Sequence, residues 1–226
     1  SKDWYLFTDG VELWAGRPLP PVGEWLEQEG LLCLQSPALQ ASAHPFDALY
    51  YCSGTRLHLV ELDGEMMEST TFPCYVRASR MRLLATLYAT ALIRRFARRC
   101  ALDVASLGKM PDAVRDYLES GEEDMRYPAL KLLPESDNWF PTSRTEAVRD
   151  AAYYAMQPAP LHGRGSLAIY AAMMAASAHG YSASPTAWSE AWTEARSEAL
   201  RRYRDWFKDM VDAAFPPMTS TTFRAG

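Results

Sequence analysis

The chain has 226 residues, of which 48% are hydrophobic and 23% charged, with a formal net charge of −5. That length supports a sizeable core, and the acidic balance argues against general nucleic-acid binding, which needs a basic face to displace phosphate counterions. No apolar run approaches the ~18 residues of a membrane span and no basic-then-apolar segment opens the chain as a secretion signal would, so the expected location is the cytoplasm.

In chain order, "WYLFT" and "VELW" flank Asp9-Gly10, the turn chemistry of a β-hairpin. "AGRPLPPVG" follows as a stiff connector, and "LLCLQ" (31–35) predicts a short buried strand. "TRLHLVELDG" alternates, with Leu57, Leu59 and Leu62 apolar and Arg56, His58 and Glu61 polar. Between those two strands, "ASAHPFDALYY" predicts a short helix. Ser42 suits its N-cap, Pro45 its first turn and Asp47 its positive end, and Ser53-Gly54 stops it.

From about Arg77 the pattern turns helical, with Leu84, Tyr88, Leu92, Phe96, Cys100 and Val104 at every fourth position before Gly108. "PDAVRDYLESG" is a second helix, opened by Pro and closed by Gly. The prolines of "RYPALKLLPESDNWFPTS" predict a connector over residues 126–142. Ser143 and Glu146 have capping-box spacing at the head of the next helix. "GSLAIYAAMMAASAHG" is nearly all apolar and is expected to be the most buried helix of the second half. Ser184-Pro185 then opens a long helix with Trp188, Trp192, Tyr203, Trp206 and Met210 along one stripe.

These elements make an α+β protein: a small N-terminal antiparallel β-sheet module with a short inserted helix, then a mainly α-helical C-terminal half. The expected division is a β-rich module plus two helices at 1–125, a connector at 126–142, a helical domain at 143–216 and a flexible tail at 217–226.

Chemistry-bearing groups are sparse. Cys33, Cys52, Cys74 and Cys100 contain no close pair, and no His pair lies near them, so reduced thiols are expected and no metal site. His44 and Asp47 share a helical face, but Ser42, Ser53 and Cys52 have no nucleophile-elbow context, so a capped structural turn is the expectation. No catalytic set is complete, and no cofactor is expected. "HGRGS" (162–166) precedes a helix but lacks the Lys-Ser/Thr of a phosphate loop, which makes it an interhelix loop.

Arg94, Arg95, Arg98 and Arg99 sit on successive turns, Arg77, Arg80 and Arg82 precede them, and no acid occurs from 77 to 102. One outcome is a solvated helix back paired with Glu119, Glu122, Glu123 and Asp124; the other is an anion-facing binding surface. The Trp188–Trp192 stripe likewise has two outcomes. It can pack against "LAIYAAMMAA" in the same chain, or it can grip a partner or a second copy as a homodimer.

"ALQASAHPFDALYYCSGTRLHLVELDGE" followed by "ASRMRLLATLYATALIRRFARRCALDV" resembles a family of uncharacterised phage and prophage proteins. That family carries Gly-Leu-His-Ala-Ser, then Pro-x-Asp-Ala-Leu-x-Tyr, a Val-Glu-Leu strand and a helix with Phe-Ala-Arg-x-Cys-Ala-Leu. Pro45, Asp47, Ala48, Leu49 and Tyr51 keep its pattern, whereas Ala38 and Gln40 stand where it has Gly and His. The resemblance covers residues 10–120. It implies a phage or prophage origin and a place in the host cytoplasm. With the basic helix and aromatic stripe, the expected function is non-catalytic binding and modulation of a host protein or ribonucleoprotein, as an anti-CRISPR-like inhibitor of a defence system. The residues expected to bind are Arg94, Arg95, Arg98, Arg99, Trp188 and Trp192; direct nucleic-acid contact is not expected.

More distantly, the strand–short helix–strand layout looks like part of an ADP-ribosyltransferase fold. That likeness implies NAD as cofactor, with nicotinamide near Ser42, Tyr50 and Tyr51 and a catalytic glutamate at Glu61 or Glu65. A virion-associated structural protein is the third alternative.

Overall fold

In the structure, a computed structural model, residues 3–13, 16–28, 39–136, 140–157, 161–162 and 165–215 are described. The first strand, β1 (Trp4–Thr8), ends at a turn in which Asp9 Oδ1 accepts from the amides of Val11 and Glu12, at 2.8 and 3.1 Å. Gly10 takes φ +89° there, as its place in the turn predicts. The turn does not make the expected hairpin. β2 (Glu12–Leu13) pairs instead with β3 (Arg17–Pro18), and β1 finds its partner 50 residues away in sequence.

After β4 (Trp25–Glu27) and β5 (Leu39–Ala41), the chain forms α1 (Pro45–Tyr50) and two long strands, β6 (Arg56–Ser69) and β7 (Tyr75–Tyr88). β6 pairs with β1 on one side and β7 on the other; β7 also pairs with β4 and β5, all antiparallel. Irregularities between Leu59 and Val60 and between Asp63 and Met66 bend the β6–β7 ribbon. The sheet curls until β5 meets β1 again, where Tyr5 and Ser42 exchange backbone hydrogen bonds of 2.8 and 2.9 Å. Inside the curl lies a small core that includes Trp4, Leu39, Val60, Leu62, Val76, Met81 and Leu83. Tyr5, Phe7, Leu57 and Leu59 face the other way, toward the helices.

β7 corrects the largest expectation. Residues 77–88 are strand, and the helix α2 (Thr90–Asp103) begins only after it. Val76 and Ala78, then Met81 and Leu83, turn inward with a step of two; the break between the pairs falls opposite the shift at Asp63/Met66, and the shift at Leu59/Val60 displaces the pattern again. That displacement produced apolar residues at helical spacing, and cross-strand pairing with β6 decided the outcome.

The helical half follows, with a 3-10 turn (Ala105–Leu107), α3 (Asp112–Ser120), α4 (Glu123–Leu130), α5 (Arg144–Ala155), the ribbon β8 (Leu161–His162) with β9 (Gly165–Ser166), α6 (Leu167–Ala183) and α7 (Glu190–Ala214). The architecture is the expected α+β arrangement of an N-terminal antiparallel sheet with a short helix and a mainly helical C-terminal half. α3 ends on Gly121 in the left-handed region, as its sequence predicts. Residues 126–130, expected in the connector, are the second half of α4, which carries Pro128 inside it. Ser143 caps α5, but Glu146 reaches back to the Thr142 amide (2.8 Å), not to the cap residue.

α6 is the buried centre of the helical half, as expected. α7 begins at Glu190 on a Ser189 cap, five residues later than Ser184-Pro185 predicts, because Ser184 closes α6. One buried cluster runs from Tyr5 and Phe7 through α1, α2 and α5 to Phe207 and Val211 of α7. The strand expected at 31–35, the flexible tail at 217–226 and residues 163–164 lie outside the described residues, while His162, Gly165 and Ser166 of the expected 162–166 loop belong to the β8–β9 ribbon.

Candidate functional site

The α1 cap comes from His44. Its Nδ1 accepts from the Phe46 amide at 3.1 Å, while Ser42, the expected cap, is spent in the β5–β1 bridge. Burial first, and then the cations Arg204 and Lys208, lower the His44 pKa to about 4, so the ring stays neutral and can accept. Asp47 is buried and receives both guanidinium nitrogens of Arg204 on α7. His44 and Asp47 therefore serve the turn and its anchorage. Cys52 is buried, and desolvation pushes its thiol up to about 12, which removes it as a nucleophile.

Beside α1, at the seam where β5 returns to β1, lies a cavity of about 440 Å³. Tyr5, Leu6 and Phe7 of β1 line one side and residues 39–42 the other. Tyr50, Tyr51, Tyr75, Pro73 and Arg77 surround it with polar and aromatic groups. The Tyr51 hydroxyl donates to the Pro73 carbonyl (3.3 Å), and its ring meets Tyr75 edge-on at 5.4 Å. Arg77 donates through Nε to Gln40 Oε1 at 3.4 Å and lies 5.3 Å from the Tyr75 ring. Tyr50 donates to Met173 Sδ at 3.1 Å. Burial raises the pKa of both Tyr50 and Tyr51, which keeps them protonated donors.

The fold thus gathers Ser42, Tyr50 and Tyr51 around one cavity and leaves Glu61 and Glu65 away from it. Glu61 is held by Arg82 Nε at 2.6 Å, and Glu65 is exposed on the β6–β7 ribbon, its amide on Ser79 Oγ. No carboxylate lines the cavity among the described residues.

The arginine helix divides by face. Arg94 approaches Glu123 at 3.4 Å, and Arg98 contacts the Tyr117 and Leu118 carbonyls at the end of α3, so both join α2 to its neighbours. Arg95 and Arg99 face solvent, and Arg99 lies over the Trp206 ring at 3.9 Å. On β7, Arg80 and Arg82 flank Trp25 and pair with Glu27, Asp63 and Glu61. Trp192 is buried, with its indole over Gly180, where a Cβ would come within 2.8 Å of Nε1. Its seat is therefore the last turns of α6, just beyond the "LAIYAAMMAA" segment. Trp188 is 70% exposed and stacks on Trp192 at 5.1 Å.

No protein-family model, no curated protein and no solved structure matches this chain. Among the described residues no helix is long and apolar enough to cross a membrane, and no group of three or more His, Cys, Asp or Glu side chains is placed to hold a metal ion. Sequence reasoning missed Gln40, Tyr75 and Arg77, which reach the cavity only because β5 pairs with β7 in the register Gln40–Arg77. The aromatic–basic alternation of Tyr75-Val76-Arg77 was the available signal, and assigning the neighbouring residues to a helix hid it.

Proposed function

We propose that this protein is a binding protein whose seam cavity takes a small planar ligand carrying an anionic group, of the nucleotide class, without transforming it. The observation that carries the reading is the lining. A cavity of about 440 Å³ falls in the ~300–1,000 Å³ range of small-molecule sites. Tyrosine rings offer stacking surface, Gln40 and Ser42 offer hydrogen bonds, and Arg77 supplies the charge for the anion. Glycosyl transfer from NAD would need a carboxylate at the reacting carbon, and Glu61 is committed to Arg82. Calorimetric titration with NAD and with mononucleotides tests the site. Binding is expected, weakened by Tyr75→Ala and by Arg77→Gln. Transfer of label from NAD to proteins of a bacterial lysate, abolished by Glu61→Ala or Glu65→Ala, would replace this reading with the transferase one.

A second reading rests on the outer face of α2 and α7, where Arg95 and Arg99 are exposed and Arg99 stacks on Trp206. This face suits an acidic surface of a bacterial host protein or ribonucleoprotein, as expected of a phage or prophage protein that modulates host defence. Reversing Arg95 and Arg99 to Glu should abolish co-purification of such a partner and make added salt irrelevant. The thermal cost should be about 1 kcal/mol or less, the worth of an exposed cation–π contact. Unfolding of that variant would make the arginines structural instead.

A further inference from the structure

A second cleft lies between the segment before α5, the middle of α6 and the start of α7. Its exposed rim is Phe140 on one side and Trp188 on the other, 68% and 70% open to solvent. Trp188 is held there at φ +67°, the one positive φ at a residue other than glycine among the described residues. A bulky residue in that region costs backbone strain, and here it keeps an indole turned out against Trp192 rather than folded inward. Met173 forms part of the wall.

At the floor is Arg196. Its Nε donates to Ser177 Oγ at 3.3 Å, and its guanidinium carbon lies 5.5 Å from the Trp192 ring. It is half-buried, and no carboxylate pairs with it among the described residues. The other half-buried cations of α7, Arg202, Arg204 and Lys208, each hold an aspartate. A guanidinium withdrawn from water without a counter-charge is costly unless an anion completes it. Burial accordingly lowers its pKa, opposed by the neighbouring Tyr50 phenol.

Size decides what anion fits. The space above Arg196 is about 40 Å³ against about 440 Å³ in the seam cavity, room for only a small group. Such a space fits a carboxylate on a thin stem. It is too small for a nucleotide base or a peptide backbone, so the carboxylate must come from a side chain long enough to reach down.

We propose that this cleft receives a glutamate side chain of a partner polypeptide, its carboxylate on Arg196 and its flanking apolar residues on Trp188 and Phe140. The surface is then a docking site for a short acidic–apolar motif, with the guanidinium supplying specificity and the aromatic rim supplying contact area. It lies across Met173 from Tyr50 of the seam cavity and needs no ligand there.

The test is a library of acetylated, amidated tripeptides X-Glu-X and X-Gln-X, with X apolar, titrated into the intact protein while the indole N–H signals of Trp188 and Trp192 are followed by NMR. Glu peptides should shift both signals and bind about tenfold or more tightly than their Gln twins, as a charge-assisted pair requires. Raising the salt should narrow that gap. Arg196→Gln should erase the Glu preference, Arg196→Lys should retain part of it, and Trp188→Gly should weaken Glu and Gln peptides alike. Unchanged NMR dispersion in Arg196→Lys shows that the site still folds. Equal binding of the two peptide classes, no binding of either at millimolar concentration, or a Glu preference that survives Arg196→Gln would each overturn the assignment.

Discussion

Asp103, at the end of α2, is the point where three helices are tied, and replacing it by Ala separates two kinds of interaction. Its Oδ2 accepts from the Tyr203 hydroxyl at 2.8 Å and from Arg202 Nη2 at 2.6 Å, both on α7, and contacts His179 Nε2 on α6 at 2.7 Å. Tyr203 is 0% exposed, so in Asp103→Ala its phenol loses its acceptor with no water to replace it, a cost of about 1–3 kcal/mol. Arg202 and His179 keep 36% and 25% side-chain exposure and can turn to solvent, so each adds less than about 1 kcal/mol. The expected loss is about 2–4 kcal/mol, a large part of the ~5–15 kcal/mol that holds a typical domain.

Tyr203→Phe removes the donor but keeps the ring and should cost only about 1 kcal/mol. Added to Asp103→Ala it should restore about that much, since no phenol is then stranded. Urea unfolding followed by tryptophan fluorescence at constant m measures all three variants. An Asp103→Ala loss smaller than that of Tyr203→Phe, or strict additivity in the double variant, would refute the account. Burial alone would raise the Asp103 pKa, but the hydrogen bonds of His179, Tyr203 and Arg202 outweigh it and hold the carboxyl below its ordinary range. Its contribution is therefore complete above about pH 4 and fades as pH falls further, and the gap between wild type and variant should close only there.

Trp192→Ala should cost about 3–5 kcal/mol, since the indole is 5% exposed and fills the seat over Gly180; calorimetric melting checks it, and an unchanged Tm would make the stripe an interface. His58 is 2% exposed between Thr8 Oγ1 and Thr86 Oγ1, and burial lowers its pKa to about 4. A neutral His of this kind contributes stability above about pH 6.5 that is lost as pH falls toward 4, up to about 3 kcal/mol. A His58→Gln variant should show a flatter stability profile across that window, and a profile as steep as wild type would place the acid sensitivity elsewhere.

Short-range signals were legible where one residue type fulfils one local role. Gly10 and Gly121 adopt the positive φ that their positions predict, and Ser143 caps its helix. α1 was legible as a helix, though its cap passed from Ser42 to His44 because the Ser42 backbone closes the sheet. β7 was not legible, since its irregular pairing with β6 spaced apolar residues like a helix. The cavity was half legible. Ser42, Tyr50 and Tyr51 lie within one local segment, whereas Tyr75 and Arg77 arrive through strand pairing that no local pattern encodes. Trp188 and Trp192 were read as one stripe, yet α7 starts between them, which leaves one indole outside and one inside.

The ion pair between Asp47 and Arg204 spans 157 residues of chain. During synthesis at ~5–20 residues per second, Asp47 emerges roughly 8 to 30 seconds before its arginine is made. Through that interval α1 has no cover from α7, and the faces of Tyr5 and Phe96 that meet that helix stay open. The first strand is therefore translated well before the helix that seals it. The nascent protein presents an adhesive, half-finished sheet to its surroundings until that helix has been made.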